Sequence, residues 1–296
     1  MKVGARAGQP GRAGSLRSAV AGRVGRSPLL AYFAVAFGAS LVALAVVGPP
    51  SLHPGGRGGP QPASLVAFPL MVATVGLAGV GLTGLTGGRG AVAELLRGVR
   101  RWRVAPADCL LAVVGPPACI LAALLLLRAL AGPAFTPNFF PVGLAFGVVA
   151  GFLEELGWTG FAYPRMQARL GPLRGALVLG LAWALWHLPV VDSLGAASPH
   201  GRALPLFFLA FALVLTSLRL LIAWAYDRTG SLLLAQCTHA SSTGFLVVLG
   251  AAHVTPAQEA LWYGLYGALL GVVAAMAWAR RPAPAGPTPR DAAQAR

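Results

Sequence analysis

Apolar residues in this chain come in long unbroken runs rather than in the alternation of a half-buried strand. Runs of about 20 residues, each long enough to cross a bilayer as a helix, stand at about 29–47, 64–86, 108–131, 139–158, 175–192, 203–226, 231–251 and 257–279. The pattern predicts an all-α fold: a polytopic transmembrane helix bundle of about eight helices. Single Gly and Pro residues inside the runs do not count against it, because membrane helices tolerate both. The flanks read differently. Residues 1–27 are rich in Gly, Ala, Arg and Ser, and 281–296 in Pro and Ala. Neither flank buries enough apolar surface to offset its ordering entropy, so a bundle over 28–280 with two disordered tails is expected. The N-terminal tail with the first run is too long for a cleaved signal peptide.

Composition agrees with a membrane class: 56% of the 296 residues are hydrophobic, 10% are charged, and the mean hydropathy is +0.71. A net charge of +15 would by itself suggest a nucleic-acid partner. Its distribution argues otherwise. Basic residues cluster before the first run (Lys2 to Arg26), between the second and third (Arg89 to Arg103), between the fourth and fifth (Arg165, Arg169, Arg174), at Arg228, and after the last (Arg280 onward). The alternate connections carry only Arg57 and Arg202. That alternation is the positive-inside pattern and predicts both termini in the cytoplasm. The basic loops then face anionic lipid head groups as partners, and no helix-turn-helix or aromatic platform accompanies them to support nucleic-acid binding. Cys109, Cys119 and Cys237 all fall inside runs without a CxxC pattern and read as small buried hydrophobes. No internal repeat of the inverted-transporter kind is visible.

Against this apolar background one stretch stands out: GVVAGFLEELGWTGFAY, with Glu154 and Glu155 adjacent in it. The chain has only eight acidic residues, and the other six lie in or beside connections. A carboxylate in hydrocarbon costs about 2.5–3.5 kcal/mol or more, so it normally faces a bundle interior or a wet cavity. Two together are expected to share a proton, bind a cation or activate water; the bland alternative is a protonated pair satisfied by neighbouring helices. His53, His200 and His253 fall in the outer connections, but His187 (LAWALWHLPVV) and His239 (LLLAQCTHASSTGF) lie inside runs. At about 1.5 Å per residue His239 is roughly 12 Å and His187 roughly 18 Å from the basic side, depths that Glu154 can share. A glutamate can act as general base on water. Imidazoles can hold a divalent metal or donate to a developing oxyanion, and two His with one or two Glu is a set that zinc accepts. The reaction class these residues point to is hydrolysis of a peptide bond within or at the membrane.

The order of motifs resembles the CPBP family of intramembrane proteases, which takes in the type II CAAX prenyl endopeptidases and the Abi bacteriocin-immunity proteins. The family pattern is EExxxR, then F/WxxxH, then HxxxN or HxxxD, each on its own transmembrane helix. Here the three read Glu154-Glu155-Leu-Gly-Trp-Thr159, Trp183-Ala-Leu-Trp-His187 and His239-Ala-Ser-Ser-Thr243. The resemblance covers about 140–250. It implies a metalloendopeptidase site in which Glu154 activates water, His187 is its partner or ligand, Glu155 is a second, orienting carboxylate, and His239 is a metal ligand or oxyanion donor. A divalent metal, zinc by preference, would rest on Glu154, His187 and His239. Thr159, Thr243 and Trp183 are supporting candidates, Trp183 most simply as packing. Two positions depart from the family: Thr159 where it has Arg, with Arg165 or Arg169 as conceivable substitutes, and Thr243 where it has Asn or Asp. Arg219 reads as a snorkelling residue or a partner of Asp227. Trp262 and Tyr263 read as an interfacial belt, and Asp227–Gly230 as a turn with Thr229 or Ser231 as a cap.

The expected substrate is a membrane-anchored protein or peptide, and the chain's Ala-, Arg- and Gly-rich composition suggests the cytoplasmic membrane of a GC-rich bacterium. Two other classes remain open at this stage. One is a non-catalytic immunity or interaction protein on the same scaffold, favoured by Thr159 and Thr243. The other is a cation-coupled transporter using the carboxylates as an ion site.

Overall fold

The computed structural model describes residues 27–48 and 62–281. The two tails expected to be disordered, with His53 and Arg57, lie outside the described residues apart from Ser27 and Arg281 at their edges. Helices form at every expected run: α1 (Pro28–Val47), α2 (Pro62–Val99, broken at Gly88), α3 (Gly115–Ala131), α4 (Val142–Gly157), α5 (Tyr163–Leu170), α6 (Pro172–Trp186), α7 (Leu204–Thr229), α8 (Leu232–Val248) and α9 (Pro256–Ala279). A helical turn, Pro106–Cys109, and a π-helical turn, Leu110–Val114, lead into α3, and a second π-helical turn, Trp158–Ala162, joins α4 to α5. No strand occurs among the described residues.

Six of the helical segments are long and apolar enough to cross a membrane. The outer surface matches that setting: Leu30, Leu41, Leu77 and Leu209 are each at least 65% exposed, more apolar surface than a water-facing fold tolerates. Two expected spans are shorter than the sequence suggests. The run at 175–192 stops being helical at Trp186, because Pro189 disfavours helical backbone at the residue before it. The run at 231–251 ends at Val248, where Leu249 and Gly250 turn back. At about 1.5 Å per residue these 15- and 17-residue helices fall short of a full bilayer core. They are also the helices that carry His187 and His239.

The most extensive helix pairings are α4 with α8 and α7 with α9, followed by α6 with α7 and by α2 with α1 and with α4. The α4–α8 approach is written in the sequence. Gly143, Gly147 and Gly151 recur every fourth residue and form one ridge. A methyl group at Gly151 would lie 2.6 Å from Ala240 N, and one at Gly143 would lie 2.7 Å from Gly244 O. Only hydrogen fits there, which is how small residues bring membrane helices together. Glu155 is the next member of the same ridge, so the close pairing delivers its carboxylate to α8 where His239 sits. Gln236 of α8 adds an interhelical bond, Nε2 to Phe152 O at 2.8 Å.

The basic end of the bundle is tied by polar contacts. Asp227 accepts from Tyr163 (2.7 Å), Gln167 (3.2 Å) and Arg281, and Arg228 reaches Asp108 at 3.1 Å. Helix α7 continues through the expected turn to Thr229. The reversal is made by Gly230 alone in the left-handed region (φ 62), and Ser231 caps α8 by accepting from Leu234 N. Trp262 and Tyr263 are buried against Phe207, Phe211 and each other rather than forming an interfacial belt. Of the three cysteines, Cys119 is buried, Cys237 half-buried and Cys109 exposed.

Candidate active site

Helices α4, α6 and α8 converge on a cavity of about 90 Å³, room for several water molecules. Glu154, Trp183, His187, His239 and Thr243 all line it. Glu154 is 1%, His187 5% and His239 2% exposed, so these groups sit deep in the protein and face a small cavity. Glu155 and Thr159 do not line it. They stand one layer behind, on the side of α7.

Glu154 is held by two indoles. Its Oε2 accepts Trp183 Nε1–H at 2.8 Å and Trp158 Nε1–H at 3.1 Å. Trp158 lies one helical turn beyond Glu154 on its own chain, whereas Trp183 arrives from α6. Both bonds fall on one oxygen, which leaves Oε1 free for a proton from water. Trp183 therefore does more than pack: its ring also meets His239 edge-on at 4.8 Å and lies beneath the Arg219 guanidinium at 4.5 Å.

The two histidines are oriented by oxygen acceptors. His187 follows the last residue of α6, and its Nδ1 lies 2.9 Å from Trp183 O. A carbonyl can only accept, so Nδ1 carries the proton and Nε2 keeps its lone pair. His239 Nδ1 lies 2.9 Å from Glu155 Oε1. Glu155 also accepts Arg219 Nη1 on Oε2 (2.8 Å) and Nη2 on Oε1 (2.9 Å), plus the Thr159 hydroxyl. A carboxylate taking a two-pronged guanidinium is an anionic acceptor, so His239 also donates through Nδ1 and turns Nε2 away from Glu155.

Arg219 was legible as a residue but not in its role. It neither snorkels nor meets Asp227; it is fully buried and paired with Glu155. Nη1 also reaches Thr159 Oγ1 at 3.0 Å. Thr159, at the position of the missing family arginine, thus completes a Glu155–Thr159–Arg219 cluster. Arg165 does not substitute: it donates to Phe161 O and stacks over that ring at 3.7 Å. The signal that could have found Arg219 is its place, a lone cation well inside an apolar run of a chain with a buried carboxylate to neutralise. Trp158 had no comparable signal, since an indole beside a glutamate on a helix also reads as packing.

Among the described residues, no three His, Cys, Asp or Glu side chains gather in an arrangement that would hold a metal ion. Hydrogen bonds through Nδ1 leave Nε2 of each histidine and Oε1 of Glu154 as donors, but the three do not gather around a common point. The arrangement therefore does not fit a zinc held by these residues.

Comparison with known proteins places this geometry. Residues 136–245 match the family model described as type II CAAX prenyl endopeptidase Rce1-like. The segment that builds the cavity is thus similar to the Rce1-like family. The matched segment runs from the approach to α4 through most of α8 and so contains all three motifs. A curated relative, CAAX prenyl protease 2 of Methanococcus maripaludis, is 37% identical over 60 residues. The aligned stretch is 20% of this chain and spans about a fifth (22%) of the relative's length.

Proposed function

We propose that this integral membrane protein is an intramembrane endopeptidase that hydrolyses a peptide bond of a membrane-associated protein or peptide. The observation that carries the reading is the convergence of Glu154, His187 and His239, brought by α4, the end of α6 and α8, on one cavity of about 90 Å³, within the segment similar to the Rce1-like family. Glu154 Oε1 takes a proton from water as the oxygen attacks the carbonyl carbon. His187 Nε2, with its lone pair, holds the second water hydrogen and fixes the attack direction. In its imidazolium form His239, held through Nδ1 by Glu155, donates Nε2–H to the developing oxyanion. The tetrahedral intermediate collapses with cleavage of the C–N bond, and Glu154 returns its proton to the leaving amine. Thr243 lines the same cavity and offers a hydroxyl donor where the family has an amide or acid.

Each step uses only groups of this chain. Arg219 bears on the competing non-catalytic reading, because one of the two departures that favoured it, Thr159, is compensated from α7. The basic end of the bundle is assigned to the cytoplasm from the loop arginines, with lipid head groups as its neighbours.

The test compares protein termini in membranes of cells expressing wild type, Glu154→Gln and His239→Ala at matched levels. New termini that appear with wild type and vanish in both variants are expected. Identical termini in all three would overturn the reading. Losing a general base removes about 10²–10⁴-fold of rate, ample for such a comparison.

A further inference from the structure

Away from the catalytic cavity, the connection between α6 and α7 (187–203) carries a second buried ionic group. His200 lies in a connection between helices, as the sequence predicts, yet it is 2% exposed and stacks on Phe207 with ring centroids 3.7 Å apart. Asp192 Oδ1 accepts the backbone N–H of His200 at 2.8 Å and faces its Nδ1 at 3.2 Å. On the other side His200 Nε2 lies 3.3 Å from Glu259 Oε2, an ion-pair contact without good hydrogen-bond alignment. Glu259, in the first turn of α9 and fully buried, also accepts Ala196 N–H (2.7 Å) and Ala197 N–H (2.8 Å). Gly195 is in the left-handed region (φ 87), and a methyl there would lie 2.5 Å from Glu259 Oε1. Three charged side chains thus fix a short turn of backbone against α9.

That turn is a wall. Leu194 and Gly195 line the catalytic cavity and also a larger apolar recess of about 420 Å³. The recess opens among Leu65, Phe140 and Val142, each more than half exposed on the outer surface. Phe68, Phe146 and Val247 line both spaces as well. We propose that Asp192, His200 and Glu259 are positioning residues: they pin Leu194 and Gly195 and so set the width of the opening between the apolar recess and the Glu154–His187–His239 cavity. The inference rests on the endopeptidase reading for its consequence, since the opening then limits which side chains reach the cavity beside the scissile bond. The clamp itself is independent of that reading. Glu259 holds the amides of Ala196 and Ala197, the two residues that directly follow the wall.

The experiment uses the full chain in lipid nanodiscs and compares wild type, Glu259→Gln, which keeps one acceptor oxygen, and Glu259→Leu, which keeps none. Amide hydrogen exchange is read over 191–203. In parallel, Leu246→Cys, a reporter inside the catalytic cavity, is labelled with a lipid-soluble maleimide after Cys109, Cys119 and Cys237 are replaced by alanine. Exchange at Ala196 and Ala197 is expected to speed by on the order of tenfold or more in Glu259→Leu and by less in Glu259→Gln. Reporter labelling is expected to accelerate in the same order, with KM for a cleaved substrate changing more than kcat. Faster exchange with unchanged labelling would overturn the proposal, because the clamp would then tie the loop without governing the opening. Unchanged exchange in Glu259→Leu would overturn it at the first step. Labelling that follows the series in a protein without peptidase activity would uphold the clamp and sink the proposed function.

Discussion

Arg219→Met tests whether the site depends on a cation carried on a different helix from its carboxylate. The substitution keeps most of the side-chain length and removes both guanidinium bonds to Glu155, at 2.8 and 2.9 Å. Neither group is exposed to solvent, so the carboxylate left behind cannot recruit water in compensation. Breaking a buried pair by removing one partner costs about 3–5 kcal/mol, a large share of a typical stability of about 5–15 kcal/mol. The cost also reaches the chemistry. Glu155 orients His239 through Nδ1, and a misplacement of about 1 Å at a reacting group costs on the order of 100-fold in rate.

A loss of both fold and activity would not by itself distinguish structure from positioning, so the informative variant is the double substitution Arg219→Met with Thr159→Arg. Position 159 lies one turn beyond Glu155, and a guanidinium there can form an i,i+4 pair on the same helix. Thermal unfolding in detergent and cleavage rate should both fall in the single variant, and both should recover substantially in the double one. Arg219→Lys should recover stability more than activity, because a point charge cannot reproduce the two-pronged bond. An Arg219→Met protein as stable and as active as wild type would refute the reasoning.

Three further outcomes follow from the same geometry. Gly151→Ala should push α4 from α8 and cost about 1–3 kcal/mol through overpacking, visible as a lower unfolding midpoint, while Gly171→Ala, strained but with open space around it, should leave the cleavage rate unaffected. Treatment with a strong divalent-metal chelator should leave proteolysis intact, because no three ligating side chains gather among the described residues; loss of activity restored by zinc would overturn that expectation. The outer clamp should respond to pH. Burial depresses the His200 imidazole, but its bond to Asp192, its contact with Glu259 and the charges of both outweigh that, so the net shift is upward. A raised folded value means the stabilisation is complete below the unfolded value of about 6.5 and is lost as pH rises through the folded one. Exchange over 191–203, corrected for intrinsic rates, should therefore rise as pH climbs beyond about 6.5 in wild type, and His200→Asn should abolish that dependence.

Much of the fold was readable because membrane helices announce themselves by length and apolarity, and the ends of α6 and α8 were misread because periodicity says little about where a helix stops. Pro189 was the available signal for α6. At the site, Glu154, His187 and His239 were readable for a different reason: polar groups in hydrocarbon are costly, so each one demands an account. Their partners were less visible. Arg219 is 64 residues from Glu155, and nothing in a single sequence ties an arginine on one helix to a glutamate on another. The empty family position at Thr159 was the best clue, and it pointed to a missing cation without saying which helix supplied it. The glycine ridge supplies the missing link in hindsight. A spacing of four carried from Gly143 through Gly151 to Glu155 fixes which helix the carboxylate must face, and a buried carboxylate facing a histidine then needs a cation from whichever helix closes the bundle behind it. In this fold that helix is α7, and its one buried cation within reach is Arg219.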